Sequence, residues 1–391
     1  MADFGADVIK IEKPGGDISR NRGPFYKDEV HPEKSLHWFA FNINKRSITL
    51  DIETDDGKEI FRRLVHKANV VIESFSPGTL DGLDLGYSQL NEINPQIIMT
   101  SITGFGQEGP YRTFKATDLI VWALSGMMYI TGDPDRPPLA PSYPHAFLFA
   151  AAAGALGTMI ALFQQRITNR GQHVDTSAQM SLAWPTSPDV TGMWETTGRI
   201  AERAGRVRIQ PFTGLRMPII WPCKDGEVAF AFMLGPGLIE ANNSLAEWIE
   251  SEDSSVKIFK QLDWKTLSPR DISEEMGEDI SGAIAGFFLK HTKAELFEGC
   301  VKRNIRLYPS LTPEETLNFE QLKVRGFWPK VAHPELGDSL TYPGDFIKST
   351  LKYDKIRKRP PLIGEHNKDV FQRELGFSDD DLISLKNAGI I

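Results

Sequence analysis

The 391 residues carry 41% hydrophobic and 25% charged side chains, an ordinary soluble composition with enough chain for two domains and a sizeable core. The net charge of −8 argues against a general nucleic-acid binder. Two cysteines, Cys223 and Cys300, give neither a metal-ligand spacing nor a disulfide framework, so a reduced, cytoplasmic setting without a metal is expected.

Met1 to Gly5 lacks the basic start and apolar core of a signal peptide and reads instead as a helix tail stopped by Gly5. Ala6 to Glu12 predicts a strand. A parallel α/β domain seldom begins this abruptly, so a preceding strand and most of a helix are expected to be missing. The loop Lys13-Pro14-Gly15-Gly16-Asp17, with Arg20 and Arg22 beyond it, is glycine-rich and basic. It reads either as a phosphate-holding loop or as a plain turn. Ile48 to Leu50 is a strand, and Asp55 or Asp56 is expected to cap a helix running to Lys67. Val70 to Glu73 is an apolar strand opening into Ser74-Phe75-Ser76-Pro77-Gly78, the usual ligand edge of a parallel sheet. Tyr87 to Ile93 predicts a short helix stopped at Asn94-Pro95, and Ile97 to Ile102 the next strand, ending at Thr103-Gly104-Phe105-Gly106. Strand-helix alternation of this kind predicts a parallel sheet with crossover helices.

Lys115 to Tyr129 reads as one helix. Ala146 to Phe163 is apolar all round, broken only by Gly154 and Gly157, and predicts a helix buried on most faces, too short and too rich in small residues to span a membrane. Its start, His145-Ala146-Phe147, itself offers no carboxylate, Ser or Cys. A polar turn at Asn169 to Gln172 leads to a short strand, His173 to Thr176. Trp184 to Pro188 and the basic run Arg203 to Arg208 read as linker. Pro218 to Trp221 and Glu227 to Phe232 flank an Asp225-Gly226 hairpin. With helices at Leu238 to Trp248 and Ile280 to Phe288, this predicts a smaller α+β domain over 210–310. The end of the chain carries Pro360 to His366, then helices at Lys368 to Leu375 and Asp379 to Asn387.

Seven segments in order resemble the class III CoA-transferases, the group that holds formyl-CoA transferase, carnitine CoA-transferase and the α-methylacyl-CoA racemases. They are GADVIKIEKPGGD (Gly5 to Asp17), FNINKRSITLDI (Phe41 to Ile52), VVIESFSPGTLDGLDLGY (Val70 to Tyr87), NPQIIMTSITGFGQEGPY (Asn94 to Tyr111), TGDPDRPP (Thr131 to Pro138), GQHVDTS (Gly171 to Ser177) and PPLIGEHNKDVFQRELG (Pro360 to Gly376). The resemblance implies a large nucleotide-fold α/β domain built from both chain ends, 1–200 and 315–391, around the small domain at 210–310. It also implies a dimer whose subunits interlock like chain links. Coenzyme A, entering as an acyl-CoA substrate, is implied to contact Lys13, Ser74, Phe75, Pro77, Gly78, Gly104 and Lys115. Lys13 would supply charge for phosphates, Phe75 an apolar face for adenine, and Gly78 and Gly104 room for close backbone approach. Ser74 stands in place of a more usual Asn, and Gly82 where some members place a basic residue, which weakens the implied phosphate site.

Catalysis in the family rests on one Asp, nine residues after the second Pro of the Pro-Pro pair and ten before the Gly of a Gly-Ile-Leu-Ala-Ala-Leu helix motif, which reads Gly157-Thr158-Met159-Ile160-Ala161-Leu162 in this chain. Counting from Pro138 and back from Gly157 both reach Phe147, which cannot form an acyl anhydride. No catalytic residue is therefore assigned. His145 reads as a satisfied loop histidine and Asp118 as a helix cap. Four readings remain open: the subunit without the nucleophile in a two-subunit transferase, as in the succinyl-CoA:benzylsuccinate CoA-transferase type, paired with a homologous Asp-containing subunit; a self-sufficient transferase with a relocated group; a racemase-like enzyme; or a non-catalytic CoA-binding scaffold. No nucleic-acid or membrane partner is expected. Acceptor specificity would come from the small domain and the loop Leu234 to Leu238.

Overall fold

The computed structural model describes residues 1–186, 192–209, 215–350 and 357–391. In chain order its first half runs β1 (Ile9–Glu12), α1 (Leu36–Phe41), β2 (Arg46–Thr49), α2 (Asp55–Lys67), β3 (Val70–Glu73), α3 (Thr79–Gly82), α4 (Tyr87–Ile93), β4 (Ile98–Thr103), α5 (Asp118–Leu124), α6 (Met127–Ile130), α7 (His145–Thr168), β5 (Gln172–Ser177) and α8 (Ala178–Ala183). The chain divides into two compact units. One comprises Met1–Ser125, Ser142–Pro185 and Leu317–Ile391; the other comprises Gly126–Pro141 and Thr186–Thr316.

The strands of the first unit are parallel, as the strand-helix alternation predicts. β1 pairs with β2, with Glu12 opposite Thr49. β3, β4 and β5 form a three-stranded sheet in that order, with Glu73 opposite Ser101 and Thr103 opposite Ser177. Ile48, Leu50, Ile60, Ile97, Val370 and Phe371 share one core, so the C-terminal segment completes this unit. Hydrogen bonds fix the return. Asn367 Oδ1 accepts from the Thr49 amide at 2.8 Å and its Nδ2 donates to Thr49 Oγ1 at 2.7 Å, while Asp51 N donates to Ile390 O at 2.8 Å.

Helix ends follow local chemistry. Thr54, not Asp55 or Asp56, caps α2 by accepting from Gly57 N; the two aspartates occupy the first turn, where their charge favours the positive helix end. The single helix expected over Lys115 to Tyr129 is instead α5 and α6, because Gly126 takes φ 84° and breaks the α-helical path.

α7 departs from the expectation of burial on most faces. Ala146, Ala150, Gly154, Thr158, Ala161 and Gln165 form its buried stripe. A Cβ on Gly154 would stand 2.8 Å from Ile102 Cδ1, and one on Gly157 2.9 Å from Val174 Cγ1, so glycine lets the helix lie close on β4 and β5. Thr158 Oγ1 meets Thr100 Oγ1 at 2.7 Å between helix and sheet. The opposite stripe, Leu156, Met159, Ile160, Phe163 and Ile167, is exposed. At 24 residues with mean hydropathy 2.1, α7 is also longer than its sequence suggested, and is long and apolar enough by length and composition to cross a membrane. Its small residues are committed to a parallel sheet.

In the second unit an antiparallel sheet joins Ile220–Cys223, Gly226–Phe230 and Leu307–Pro309. The turn at Lys224-Asp225 realises the hairpin that Asp225-Gly226 predicts. Helices Ile239–Glu252, Glu274–Phe288 and Lys293–Lys302 surround it, and Trp221, Phe230 and Phe288 pack edge-on in its core. The basic run expected to be linker contributes a strand, Val207–Ile209, paired antiparallel with Arg216–Pro218; alternation of Val207, Arg208 and Ile209 suits a half-buried strand. Ser187 and Pro188 of the other expected linker lie outside the described residues.

Candidate functional site

Because β3, β4 and β5 are parallel and in register, the loops at their carboxyl ends emerge from one edge. Ser74, Phe75, Pro77 and Gly78 follow β3 and Gly104 follows β4. Phe75 is 47% exposed, and its amide donates to Glu73 Oε2 at 2.7 Å, which turns the chain out of the strand. Gly78 takes φ +87° at the start of α3, with no atom within 4 Å of an added Cβ, so backbone conformation rather than crowding requires glycine there. Gly104 is the opposite case: an added Cβ would lie 2.2 Å from Ala116 Cβ. Its missing side chain admits the segment that carries exposed Lys115 to this edge. The neighbouring turn is fixed by Gly106 N donating to Thr103 Oγ1 and Gln107 N to Asp175 Oδ2, each at 2.9 Å.

Lys13 leaves β1, a strand of the separate two-stranded sheet. The parallel pairing of β1 with β2 brings the loops after both strands out together, and Lys13 Nζ meets Glu53 Oε1 at 2.7 Å, with both side chains largely exposed. The Glu53 carboxylate raises the Lys13 ammonium above the ordinary lysine range. Glu53 was missed by sequence reasoning. The signal was there: two strands paired in parallel place residues just past their ends side by side, and Asp51-Ile52-Glu53 supplies the acid.

Arg20 is not available to a phosphate. It is fully buried, with Nε 2.6 Å and Nη2 2.8 Å from the two Glu12 carboxylate oxygens, Nη1 2.7 Å from Glu33, Nη2 donating to Pro361 O at 3.0 Å, and its guanidinium 3.7 Å from the Trp38 ring centroid. A buried guanidinium persists only when its donors are met, and here they are met internally. The loop Lys13 to Asp17 therefore sits on a structural ion cluster. Beside it a cavity of about 720 Å³ is lined by Gly15, Thr49, Gly364, Lys368 and Lys386 among others.

The start of α7 has no side-chain cap of its own, since Pro144 is the residue before it. Asp118, from the first turn of α5, supplies one: its Oδ1 accepts from the Phe147 amide at 3.2 Å. α5 is itself capped by Thr117, so the role expected of Asp118 is served for the neighbouring helix. The fold thus brings to this start the carboxylate that its own sequence lacks. His145, the first residue of α7, lies beside the Trp122 and Tyr143 rings, with centroids 6.3 and 6.4 Å away. The Phe147 ring is 37% exposed. The arrangement offers a helix N-terminus and a carboxylate, but no side-chain nucleophile at position 147 itself.

A family model described as CoA-transferase family III matches residues 1–367. The succinyl-CoA:(R)-benzylsuccinate CoA-transferase subunit BbsE of Thauera aromatica is 31% identical over all of this chain and 93% of its own length. A formyl-CoA:oxalate CoA-transferase of Streptomyces coelicolor is 30% identical over all of this chain and 94% of its own. The crystal structure of a CAIB/BAIF family protein from Brucella suis superposes with a TM-score of 0.79 at 26% identity, covering 95% of this chain and 92% of that one. The seven motifs, the parallel sheets with their loop edge, and a match over nearly the whole length agree: the chain belongs to CoA-transferase family III.

Proposed function

We propose that this chain is the subunit without the nucleophile in a two-subunit transferase that moves CoA from an acyl-CoA donor to a carboxylic acid. The observation that carries the reading is Phe147. It occupies the N-terminal turn of α7, where the family places its catalytic Asp, and a phenyl ring has no lone pair with which to attack a thioester. In the intact enzyme the homologous subunit's carboxylate attacks the donor thioester, the C–S bond breaks, and CoA leaves as thiolate from an acyl-aspartyl anhydride. The thiolate returns to give an aspartyl thioester and frees the donor acid. The acceptor carboxylate then reverses the sequence.

Two further observations support a partner. The outward stripe of α7 leaves Phe163 and Ile167 each 69% exposed, and a contiguous apolar stripe of this kind marks an interaction surface. Among the relatives, the BbsE protein and the succinyl-CoA–L-malate CoA-transferase β subunit of Chloroflexus aurantiacus, 27% identical, are named as subunits. In this reading the two subunits interlock, with 1–200 and 315–391 forming the large domain and 210–310 the small one. Lys13, Ser74, Phe75, Pro77, Gly78, Gly104 and Lys115 contact the nucleotide. The test is expression alone and together with a homologue that keeps the Asp, assayed for CoA transfer from succinyl-CoA to carboxylic acids. Turnover only in the co-expressed complex is expected; turnover by the lone chain with a trapped acyl adduct would overturn it.

One observation favours a second reading, a self-sufficient transferase with a relocated nucleophile. Asp118 Oδ1 lies 3.2 Å from Phe147 N, so a carboxylate does stand at this helix end. An acyl adduct mapped to Asp118 in the lone chain would establish it.

A further inference from the structure

In a parallel sheet, alternate residues turn their N–H and C=O groups to opposite edges, so each edge of the first unit can be assigned. Val8 O and Glu12 O accept from Arg46 N and Leu50 N at 2.9 and 2.7 Å. Even-numbered residues of β1 therefore face β2, and Ile9 and Ile11 form the other edge. The far edge of β2 is covered by the C-terminal segment, where Ser47 N donates to His366 Nδ1 at 3.2 Å and His366 N to Ser47 O at 2.9 Å. In β3, Asn69 O accepts from Ile98 N at 3.1 Å, so odd-numbered residues face β4, and Val70 and Ile72 form the other edge. Among the described residues no hydrogen bond reaches the N–H or C=O of Ile9, Ile11, Val70 or Ile72. These two open edges border one core. Ile11 of β1, Leu50 of β2, Val71 of β3 and Met99 of β4 pack there with Ile60 of α2, and no residue of β5 belongs to it. β3 is therefore the strand of its sheet that lies toward β1, and the β2-α2-β3 crossover makes these strands parallel. The sheet is interrupted in its middle. Ile72 is 52% exposed there and Ile9, Ile11 and Val70 are only partly buried, whereas an inner parallel strand is buried on both faces.

We propose that the gap between β1 and β3 is a docking site for one extended apolar segment from outside residues 1–391, which lies parallel to both walls and joins the two sheets into one. Its length is set by the walls, four residues each. Its chemistry is set by what it must meet. One alternate set of its main-chain groups pairs with Ile9 and Ile11, and the other set with Val70 and Ile72. Leaving such groups unpaired as the gap closes would be costly, so only an extended chain fits, and it binds by strand addition at both edges. Side chains on its inner face fill the core between Ile11 and Val71, and those on its outer face cover Ile72. Valine, isoleucine and leucine suit both faces, as they do in any strand buried on two sides. A second copy of this chain is not the occupant, because β1 to β5 are each already paired within the unit and none is free to be lent. This inference does not depend on the transferase reading.

The test titrates the full chain with a fluorescein-labelled peptide of alternating valine and isoleucine flanked by lysines, read by fluorescence anisotropy and by residue-resolved amide hydrogen exchange. Two further peptides carry N-methyl groups on one or the other alternate set of amides, so that each spoils pairing with one wall only. The parent peptide should bind and slow exchange at Ile9, Ile11, Val70 and Ile72 together. Each methylated peptide should bind about tenfold more weakly, since both walls contribute hydrogen bonds. Weakening by only one methylated set, or protection of one wall alone, would mean pairing at a single open edge and would overturn the proposal. Protection at His173 and Asp175 of β5 instead, or at none of these residues, would also overturn it. Slowed exchange on both walls without peptide, growing with protein concentration, would show that a second copy fills the gap and would overturn the assigned occupant. Ile72→Asp changes an already exposed side chain, so it should melt as wild type does and bind the parent peptide about tenfold more weakly; unchanged binding would count against the gap. No CoA, partner subunit or turnover enters these measurements, so their failure is distinct from failure of the transferase reading.

Discussion

Asp118 Oδ1 accepts a hydrogen bond from the Phe147 amide at 3.2 Å, tying the first turn of α5 to the first turn of the apolar helix α7. The contact satisfies one of the orphan N–H groups at a helix start that Pro144 leaves uncapped. Asp118→Ala should cost about 1 kcal/mol and lower the melting temperature by about 2 °C, whereas Asp118→Asn, which keeps an acceptor, should lie close to wild type. Thermal melts of the three proteins make the comparison. If Asp118 is instead a nucleophile, the Asn variant would melt normally but lose any adduct formed by the lone chain.

Phe147→Asp should not by itself create a working transferase. From the sequence alone, a carboxylate placed among Tyr143, Phe149 and the apolar helix would be expected to be desolvated. The structure gives a different cause, because Phe147 is 37% exposed. A new carboxylate would stand beside that of Asp118, and two like charges at one helix end push one of the pair toward its protonated, non-nucleophilic form. Mass spectrometry after addition of succinyl-CoA should find no CoA thioester on this variant. Turnover by this variant approaching that of the proposed complex with an Asp-containing homologue would show that position 147 lacks only the carboxylate.

The parallel sheets and their loop edge were legible because strand-turn-helix units repeat locally, and Ser74 to Gly78 and Gly104 follow apolar runs of strand length. The structure of α7 was not. An all-apolar helix reads as buried; residue size does separate the small stripe that meets β4 and β5 from the large one opposite, but apolar character alone does not say which of the two this chain leaves uncovered. The contacts of Asp118 with Phe147 and of Lys13 with Glu53 were hidden for another reason. Each joins residues brought together by strand register or helix packing, 29 and 40 positions apart. The sequence shows Arg20 only as part of the basic character beside the Lys13 to Asp17 loop, because its partners, Glu12, Glu33 and Pro361, converge from three separate segments.

Glu53 competes with any phosphate for Lys13. The pair is exposed, so its contribution is modest and screened by salt. Glu53→Gln should raise the affinity for CoA by about two- to fivefold at low ionic strength, read by titration calorimetry, with the gain shrinking as salt is added. The double variant Glu53→Gln/Lys13→Gln should show no such gain. A Glu53→Gln protein that binds CoA no better than wild type would remove Lys13 from the proposed nucleotide site.

Asp17 links the basic loop to its underlying cluster. Its Oδ1 accepts from Ser19 N at 2.8 Å and Ser19 Oγ at 2.7 Å, and its Oδ2 pairs with Lys10 Nζ at 2.6 Å. Burial pushes the carboxyl up, but Lys10 and Ser19 together outweigh it and hold Asp17 at about 2. The folded value lies below that of the unfolded chain, about 3.9, so the ionised form stabilises the fold. That contribution is fully present above about pH 4 and is lost as pH falls through about 2. With its side chain 22% exposed, screening trims the effect, and Asp17→Asn should cost about 1–2 kcal/mol at pH 7. The melting-temperature gap between wild type and variant should stay constant from pH 8 to about 5. It should then narrow from about pH 4 downward, as wild type protonates to resemble the neutral amide. High salt should reduce the Lys10 part of the gap and spare the part from the Ser19 hydrogen bonds. A gap that widens on acidification would mean that Asp17 is held in its protonated form, which would reverse the role assigned to Lys10.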